Sequence, residues 1–535
     1  MLRIAQTILL FIVVLAVADD HPVVETTLGQ VMGFASSSRS GRKYFSFTGI
    51  PYAKPPVGEL RFQPPQEPEP WEGILNATND GPFCIQYNMY NPEPEVQGDE
   101  DCLYLSVFTH DLTSSDSVLF HIHGGGYLAG DKSLTGPQYF MDEDIVVVDI
   151  NYRLGIMGFL SFEDTVMLGN QGLKDQNLAL KWVIKNIAKF GGDPNKVTLV
   201  GESAGSGSVT HHMISSMSKG LFQGAIAESG TNYNLLSLLP PGLARNRAEK
   251  LAILLSCPKD DTTEAVSCLR EKDAKELVGQ LEDFREWQVD PLLLFQPVLE
   301  ENDVDAFVIG PIDSWEPSPV PLLIGTTSAE GLLRTGYFLH YNMDFKWFSD
   351  NFEQLAPLTF RYFASSSNPE AVTKEIKHFY FGDREITKSD WINITNVYTD
   401  AWFTNGIFTT ADKHSGDVYF YYFDYVGEFS LGPKDRSYSF GASHTDETIY
   451  LWQNKKCMPL KGKDLEISKE LVKIWTDFAK YGKAESPNNN DDWKKWTPQA
   501  HNYLDISESG FKVKLGLHEE RNEFWNNLNY RDRFN

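Results

Sequence analysis

From residue 195 the chain reads NKVTLVGESAGSGSVTHHMI, and no other stretch limits so narrowly the fold that can hold it. Val197 to Val200 has the apolar, β-branched composition of a buried strand, and Ala204 to Met213 can begin a helix. Between them GESAG places Ser203 with a glycine two positions away on either side. A strand that breaks sharply into a helix forces strained backbone angles on the residue at the corner. Flanking glycines remove the side-chain clashes of such a corner, and the helix brings its unpaired N–H groups close to any negative charge that develops there. Ser203 is therefore a candidate nucleophile. The motif alone is short, and in a chain with 41 glycines an ordinary glycine-rich turn matches it by chance, so the surroundings must carry the reading.

Those surroundings are of the α/β class. Short β-rich runs at Ser117–Ile122, Ile145–Ile150, Val197–Val200, Pro321–Ile324 and Val418–Phe423 are bounded by turn residues, as strands buried on both faces are. Helical patterns lie between them. The clearest runs from Leu173 to Phe190, with Leu178, Trp182, Ile184 and Ile187 on its apolar face and Gly191-Gly192 as its stop. Strands alternating with helices predict a large, twisted, mostly parallel central sheet flanked by helices. No repeat or low-complexity linker divides the chain, and the proline-rich stretch from Lys54 to Pro70 lies too near its start to separate two domains. One catalytic domain over 19–535 is expected, with the segment from about 235 to 460 as helical elaboration around the last strands.

A serine nucleophile needs fixed N–H donors, a base and an acid. His121 to Tyr127 reads HIHGGGY directly after a strand candidate. Three glycines let bare backbone approach a bound group, and the N–H groups of Gly125, Gly126 and Ala204 are the candidate oxyanion donors. In sheets that carry a nucleophile at such a corner, the partners follow along the chain as acid, then histidine. Of the twelve histidines, those before Ser203 fail the order, and His211 and His212 leave no room for an acid. His340, His378, His414, His444, His501 and His518 remain. Only His444 sits in a small-residue turn, GASHTDE from Gly441, which can present an imidazole without burying it. The interval before it holds many carboxylates. Glu330 stands out because LIGTTSAEG, from Leu323 to Gly331, puts it in a small-residue loop after an apolar strand; on this ground alone the other carboxylates stay open. Its role would be to accept the imidazole N–H and stabilise the imidazolium.

The net charge of −26 speaks against nucleic acid as a partner and against an anionic membrane surface. Residues 1–18, MLRIAQTILLFIVVLAVA, have one early cation, an apolar stretch too short to span a bilayer, and Ala16-Val17-Ala18 as a cleavage pattern. A removed signal peptide and a secreted protein are expected, with no membrane anchor, since the C-terminal NLNYRDRFN resembles neither a lipid-attachment nor a retention signal. Of five cysteines, Cys84 with Cys102 and Cys257 with Cys268 are the sequence-local pairs, and Cys457 is left over; connectivity does not follow from sequence alone. Asn76-Ala-Thr and Asn393-Ile-Thr are glycosylation sequons. No cysteine or histidine spacing points to a metal, and no cofactor is expected. Nothing in the sequence sets monomer against homodimer.

Together these pieces resemble the type-B carboxylesterase family, which includes the cholinesterases, over nearly the whole mature chain. The shared motifs are GIPYA from Gly49, LRF from Leu60, EDCLYL from Glu100, the HGGG loop, NYRLG from Asn151, GNQGLKDQ from Gly169 and GGDPNKVTLVGESAG from Gly191. The resemblance implies an α/β-hydrolase fold, Ser203 as nucleophile, Glu330 as its charge partner and His444 as base. It also implies the disulfides Cys84–Cys102 and Cys257–Cys268, structural ion pairs Arg61–Glu100 and Arg153–Asp175, and a buried Ser229 near the triad. Two departures narrow it. Where cholinesterases carry a tryptophan for a quaternary ammonium, this chain has Met89-Tyr90-Asn91-Pro92, and the segment from Pro291 to Val298 has leucines where they place bulky aromatics. The second implies a roomier acyl side. Glu202 before the nucleophile, where juvenile hormone esterases typically have glutamine, makes the chain look more like a secreted insect carboxylesterase. An uncharged or apolar small-molecule ester is the expected substrate. A juvenile hormone esterase-like enzyme is the alternative, and a non-catalytic adhesion or binding relative a second, although such relatives usually lack a triad residue.

Overall fold

The computed structural model describes residues 20–88, 95–301, 305–382, 384–433, 438, 440–454, 457, 459–488 and 492–534; the expected signal segment and the Met89–Pro92 stretch lie outside them. Eleven strands form one sheet. In chain order they are β1 (Phe34–Ser37), β2 (Lys43–Pro51), β3 (Tyr104–Thr109), β4 (Asp116–Ile122), β5 (Val146–Ile150), β6 (Gly192–Glu202), β7 (Gly224–Glu228), β8 (Leu322–Thr327), β9 (Val418–Phe423), β10 (Tyr503–Ser507) and β11 (Gly510–Lys514). Their order across the sheet is β11-β10-β9-β8-β7-β6-β4-β5-β3-β2-β1.

The middle of the sheet, from β5 through β4 and β6 to β10, is parallel, and the pairs toward either edge are antiparallel. The sequences explain the division. VVVDI of β5 and GAIAE of β7 are buried at every position, as parallel strands covered by helices on both faces must be. GFKVK of β11 leaves Lys512 and Lys514 exposed at the rim, where charge discourages pairing with another chain. The large, mostly parallel sheet expected from the strand and helix alternation is present.

Element boundaries shift by a few residues. The predicted helix over 173–190 is an α-helix, α1 (Gln171–Asn186), that tightens into a 3-10 turn over Ile187–Phe190. Gly191 ends it with φ 79°, a left-handed stop that glycine adopts without strain. The strand read as Val197–Val200 extends back to Gly192 across an irregularity in its pairing with β4. Helical excursions separate β7 from β8 and β8 from β9, which is the elaboration expected between about 235 and 460. Among the described residues no helix is long and apolar enough to cross a membrane.

Parallel strands all present their carboxyl ends on one side. The loops that follow β4, β6, β7 and β8 begin with the HGGG stretch, Ser203, Ser229 and the Glu330 loop. Groups distant in sequence are thus delivered to one crevice, where open α/β sheets bind ligands.

Candidate active site

Ser203 stands between β6 and the helix α2 (Ala204–Ile214), with φ 57° and ψ −119°. A residue with a side chain holds such angles only where its surroundings over-determine them. Here they do. The Ser203 N–H donates to the Glu228 carbonyl at the end of β7 (2.8 Å), and the Ser203 carbonyl accepts from the Gly207 N–H (2.9 Å). The flanking glycines are required by contact. A Cβ on Gly201 would lie 2.5 Å from the Gly205 carbonyl carbon, and one on Gly205 would lie 2.0 Å from the Ile122 carbonyl oxygen.

The same crowding accounts for the glycines after β4. A Cβ on Gly124 would meet the Glu202 carboxylate at 2.5 Å, and one on Gly125 the Ala129 carbonyl oxygen at 1.8 Å. Gly125 and Gly126 have φ of 100° and 66°. Among the described residues, neither of their N–H groups donates to a protein acceptor. Gly126, Ser203 and Ala204 border one cavity, so the glycine loop and the start of α2 face a common space.

His444 Nε2 lies 2.9 Å from Ser203 Oγ, and its Nδ1 lies 2.5 Å from Glu330 Oε2. The other Glu330 oxygen accepts from Ser229 Oγ (2.6 Å), the Thr327 N–H (2.7 Å) and Thr326 Oγ1 (2.8 Å). Burial on its own would raise the Glu330 pKa. The adjacent imidazole and these hydrogen bonds outweigh it and hold the carboxyl below its ordinary value. The loops that carry Glu330 and His444 are tied together: the Ala329 N–H donates to the Ala442 carbonyl and the Ala442 N–H to Ser328 Oγ, both at 2.9 Å. Asp446 then closes the histidine turn by accepting from the Ser443 N–H at 2.8 Å.

Three further carboxyl groups crowd the site. Glu202 Oε1 lies 3.2 Å from His444 Nε2. Glu447 Oε1 lies 3.0 Å from Ser229 Oγ and accepts from Tyr421 Oη at 3.2 Å. Glu228 Oε1 accepts from Trp475 Nε1 at 2.6 Å. Burial, followed by repulsion from neighbouring carboxylates, raises Glu202 and Glu447 well above the carboxylate range. Burial pushes Glu228 up to about 8 against the Trp475 bond. Glu330 is thus drawn toward its charged form while burial and mutual repulsion push its three neighbours toward their neutral forms.

In front of Ser203 opens a cavity walled by Leu236, Leu292, Leu293, Leu333, Trp402 and Phe403. Asn234 also borders it, but its amide is engaged: it accepts from the Thr231 N–H and donates to the Phe403 carbonyl, both at 2.7 Å. The cavity therefore offers apolar surface beside the Ser203 hydroxyl, the His444 imidazole and unpaired N–H groups.

A family profile described as the carboxylesterase family matches residues 20–525. The chain belongs to the carboxylesterase family. It is 36% identical to a juvenile hormone esterase of Tribolium castaneum, over 95% of this chain and 91% of that protein. It is 37% identical to esterase E4 of Myzus persicae, over 91% of this chain and 90% of that one. The crystal structure of juvenile hormone esterase from Manduca sexta with OTFP covalently attached superposes with a TM-score of 0.83 at 27% identity, covering 95% of this chain and 99% of that one. The α/β-hydrolase fold expected from the motifs is thereby established.

Elsewhere in this carboxylesterase, Cys84–Cys102 and Cys257–Cys268 form disulfides with Cα separations of 4.8 and 5.7 Å. Cys457 is buried, apart from both. Arg61 pairs with Glu100 and Arg153 with Asp175. Asn76 is exposed at a strand end, whereas Asn393 is half-buried on a helix and donates to the Tyr380 carbonyl at 3.0 Å. Sequence reasoning missed Glu447 and Glu228 as members of the site. Glu447 had a signal, three residues after His444 in the same turn; Glu228 is brought in only by the pairing of β7 with β6.

Proposed function

We propose that this carboxylesterase hydrolyses uncharged, apolar carboxylic esters to acid and alcohol through an acyl-enzyme on Ser203. His444 Nε2 takes the Ser203 proton as Oγ attacks the ester carbonyl carbon. The N–H groups of Gly125, Gly126 and Ala204 stabilise the oxyanion, and Glu330 holds the imidazole in the required tautomer and stabilises it once charged. His444 then protonates the leaving alcohol. Water, deprotonated by the same imidazole, attacks the acyl-enzyme and releases the acid. The observation that carries this reading is the chain from Ser203 Oγ to His444 at 2.9 Å and on to Glu330 at 2.5 Å, set beside a leucine-walled cavity. Apolar walls with their one amide already engaged favour an uncharged acyl group. Ser203→Ala is expected to lower kcat by about 10⁶-fold with an unchanged circular-dichroism spectrum; undiminished hydrolysis would sink the assignment.

A juvenile hormone esterase-like specificity is the second reading, favoured by the likeness to the Tribolium and Manduca enzymes and opposed by Glu202 in place of glutamine. Hydrolysis of juvenile hormone, measured against naphthyl esters of short and long acids and against acetylthiocholine, separates the two. The proposal includes secretion, supported by two disulfides, which persist in oxidising compartments, and by the exposed Asn76 sequon. An expressed chain recovered from the medium should begin at Asp19 and lose mass with a glycosidase; retention inside the cell with residues 1–18 intact counts against it.

A further inference from the structure

Arg361 is buried and has φ 73°, a conformation that a bulky residue keeps only under constraint from all sides. The acceptors its guanidinium reaches are neutral. Nε donates to the Leu235 carbonyl (3.0 Å), Nη1 to the Leu293 carbonyl (2.9 Å) and Nη2 to Gln296 Oε1. The amide of Gln296 donates in turn to the Leu236 carbonyl. Two residues earlier, Thr359 Oγ1 donates to Asp290 Oδ2 at 2.8 Å, and its carbonyl accepts from Trp402 Nε1 at 3.0 Å. The corner Thr359-Phe360-Arg361 thus grips the backbone behind Leu236, the backbone of Leu293 and the indole of Trp402, three walls of the cavity in front of Ser203. Arg361 itself does not line that cavity.

Burying a cation among carbonyls is costly, and an apolar side chain of similar volume would serve stability as well or better. What the arginine adds is geometry: a planar fork that fixes three acceptors relative to one another. The structure assigns to Arg361, we propose, the role of a positioning residue for acyl specificity, holding the 235–236 and 292–296 segments at the separation that decides which acyl chains reach Ser203. This rests on the cavity being the acyl site, as read above.

The test uses three variants of the whole enzyme. Arg361→Lys keeps a cation but loses the fork. Gln296→Met keeps the volume and removes the link to Leu236. Leu293→Phe narrows the cavity directly. For each, kcat/KM is measured on 4-nitrophenyl esters from acetyl to octanoyl, per serine titrated with an organophosphate, so that inactive protein drops out. Arg361→Lys and Gln296→Met should leave the acetyl ester within about threefold and change the octanoyl-to-acetyl ratio by about tenfold or more, mainly through KM, as small wall displacements do. A role in folding alone would leave the value per titrated serine unchanged for every ester. If Leu293→Phe reshapes the chain-length profile while the other two variants give parallel profiles, the cavity reading stands and the Arg361 assignment falls. If Leu293→Phe leaves the profile unchanged, both fall.

Discussion

Glu228 does two separate things. Its carbonyl holds the N–H of Ser203, and its side chain, fully buried, leans on the Trp475 indole. Because burial lifts its pKa to about 8, while an unfolded chain releases that proton near ~4.3, the folded state binds the extra proton between those values. Stability from this group is therefore greatest below ~4.3 and is lost as pH climbs toward the folded value. Glu330 has the opposite sign: its carboxyl is held below the ordinary value, so its contribution is present above that value and lost as pH falls. Glu228→Gln retains an acceptor for Trp475 and removes the titration. Urea midpoints measured at pH 5.5 and 8.5 should fall less for Glu228→Gln than for the native enzyme. Some slope will remain, because Glu202 and Glu447 are raised by the same burial and repulsion. Identical slopes would mean that Glu228 is charged in the folded protein.

At the scale of elements, the glycines that look alike in sequence divide by what surrounds them. Gly205, where α2 begins, faces the Ile122 carbonyl, which a Cβ would approach to 2.0 Å; Gly279, ending the helix Ala274–Gly279, has nothing within 4 Å. Gly205→Ala should cost about 3 kcal/mol or more through forced backbone movement, and Gly279→Ala should gain about 0.5 kcal/mol. Thermal unfolding of the two variants checks both signs, and equal shifts would refute the packing argument. The contrast also shows what the sequence made legible. Strands such as VYFYYF of β9 were readable because burial on both faces leaves an apolar run. The helix α1 was readable by its length and glycine stop, but not by its face: it is buried almost all round, with Leu173, Leu180 and Val183 inside and Leu178 and Ile184 only partly buried. Ser203, the glycine loop and His444 were readable because strained or bare backbone demands particular residue types. Glu330 rested on a weaker signal, a loop after a strand, until the family motifs supported it. Glu228 and Arg361 carried no such mark. Their roles come from partners far away in sequence, β6 and Trp475 for one, Leu235 and Leu293 for the other, and only the sheet order and the packed helices bring those together.

Across the whole molecule, the two disulfides act through a shared residue. Arg61 is buried, donates from Nε and Nη2 to both oxygens of Glu100 at 2.7 and 2.5 Å, and reaches with Nη1 to the carbonyls of Arg270 and Lys272 at 2.8 and 2.5 Å. Glu100 lies two residues before Cys102, and Arg270 two residues after Cys268. One guanidinium therefore ties the loop closed by Cys84–Cys102 to the helix end anchored by Cys257–Cys268. Each disulfide limits the unfolded chain by ~3 kcal/mol of loop entropy, but in the folded protein each also delivers a partner to Arg61. Without Cys257–Cys268, the Arg270 and Lys272 carbonyls must be ordered by the hydrogen bonds themselves, which weakens what those bonds contribute. Arg61→Met should cost about 2–3 kcal/mol in the native background, since it leaves the half-buried Glu100 and two backbone carbonyls without their donor. The same substitution combined with Cys257→Ala and Cys268→Ala should cost less, with a coupling of about 1 kcal/mol, above the ~0.5 kcal/mol scatter of independent sites. A double-mutant cycle by urea unfolding measures that coupling. Strict additivity would show that the disulfides and Arg61 stabilise the fold separately, and the picture of one clamp built from three parts would have to be abandoned.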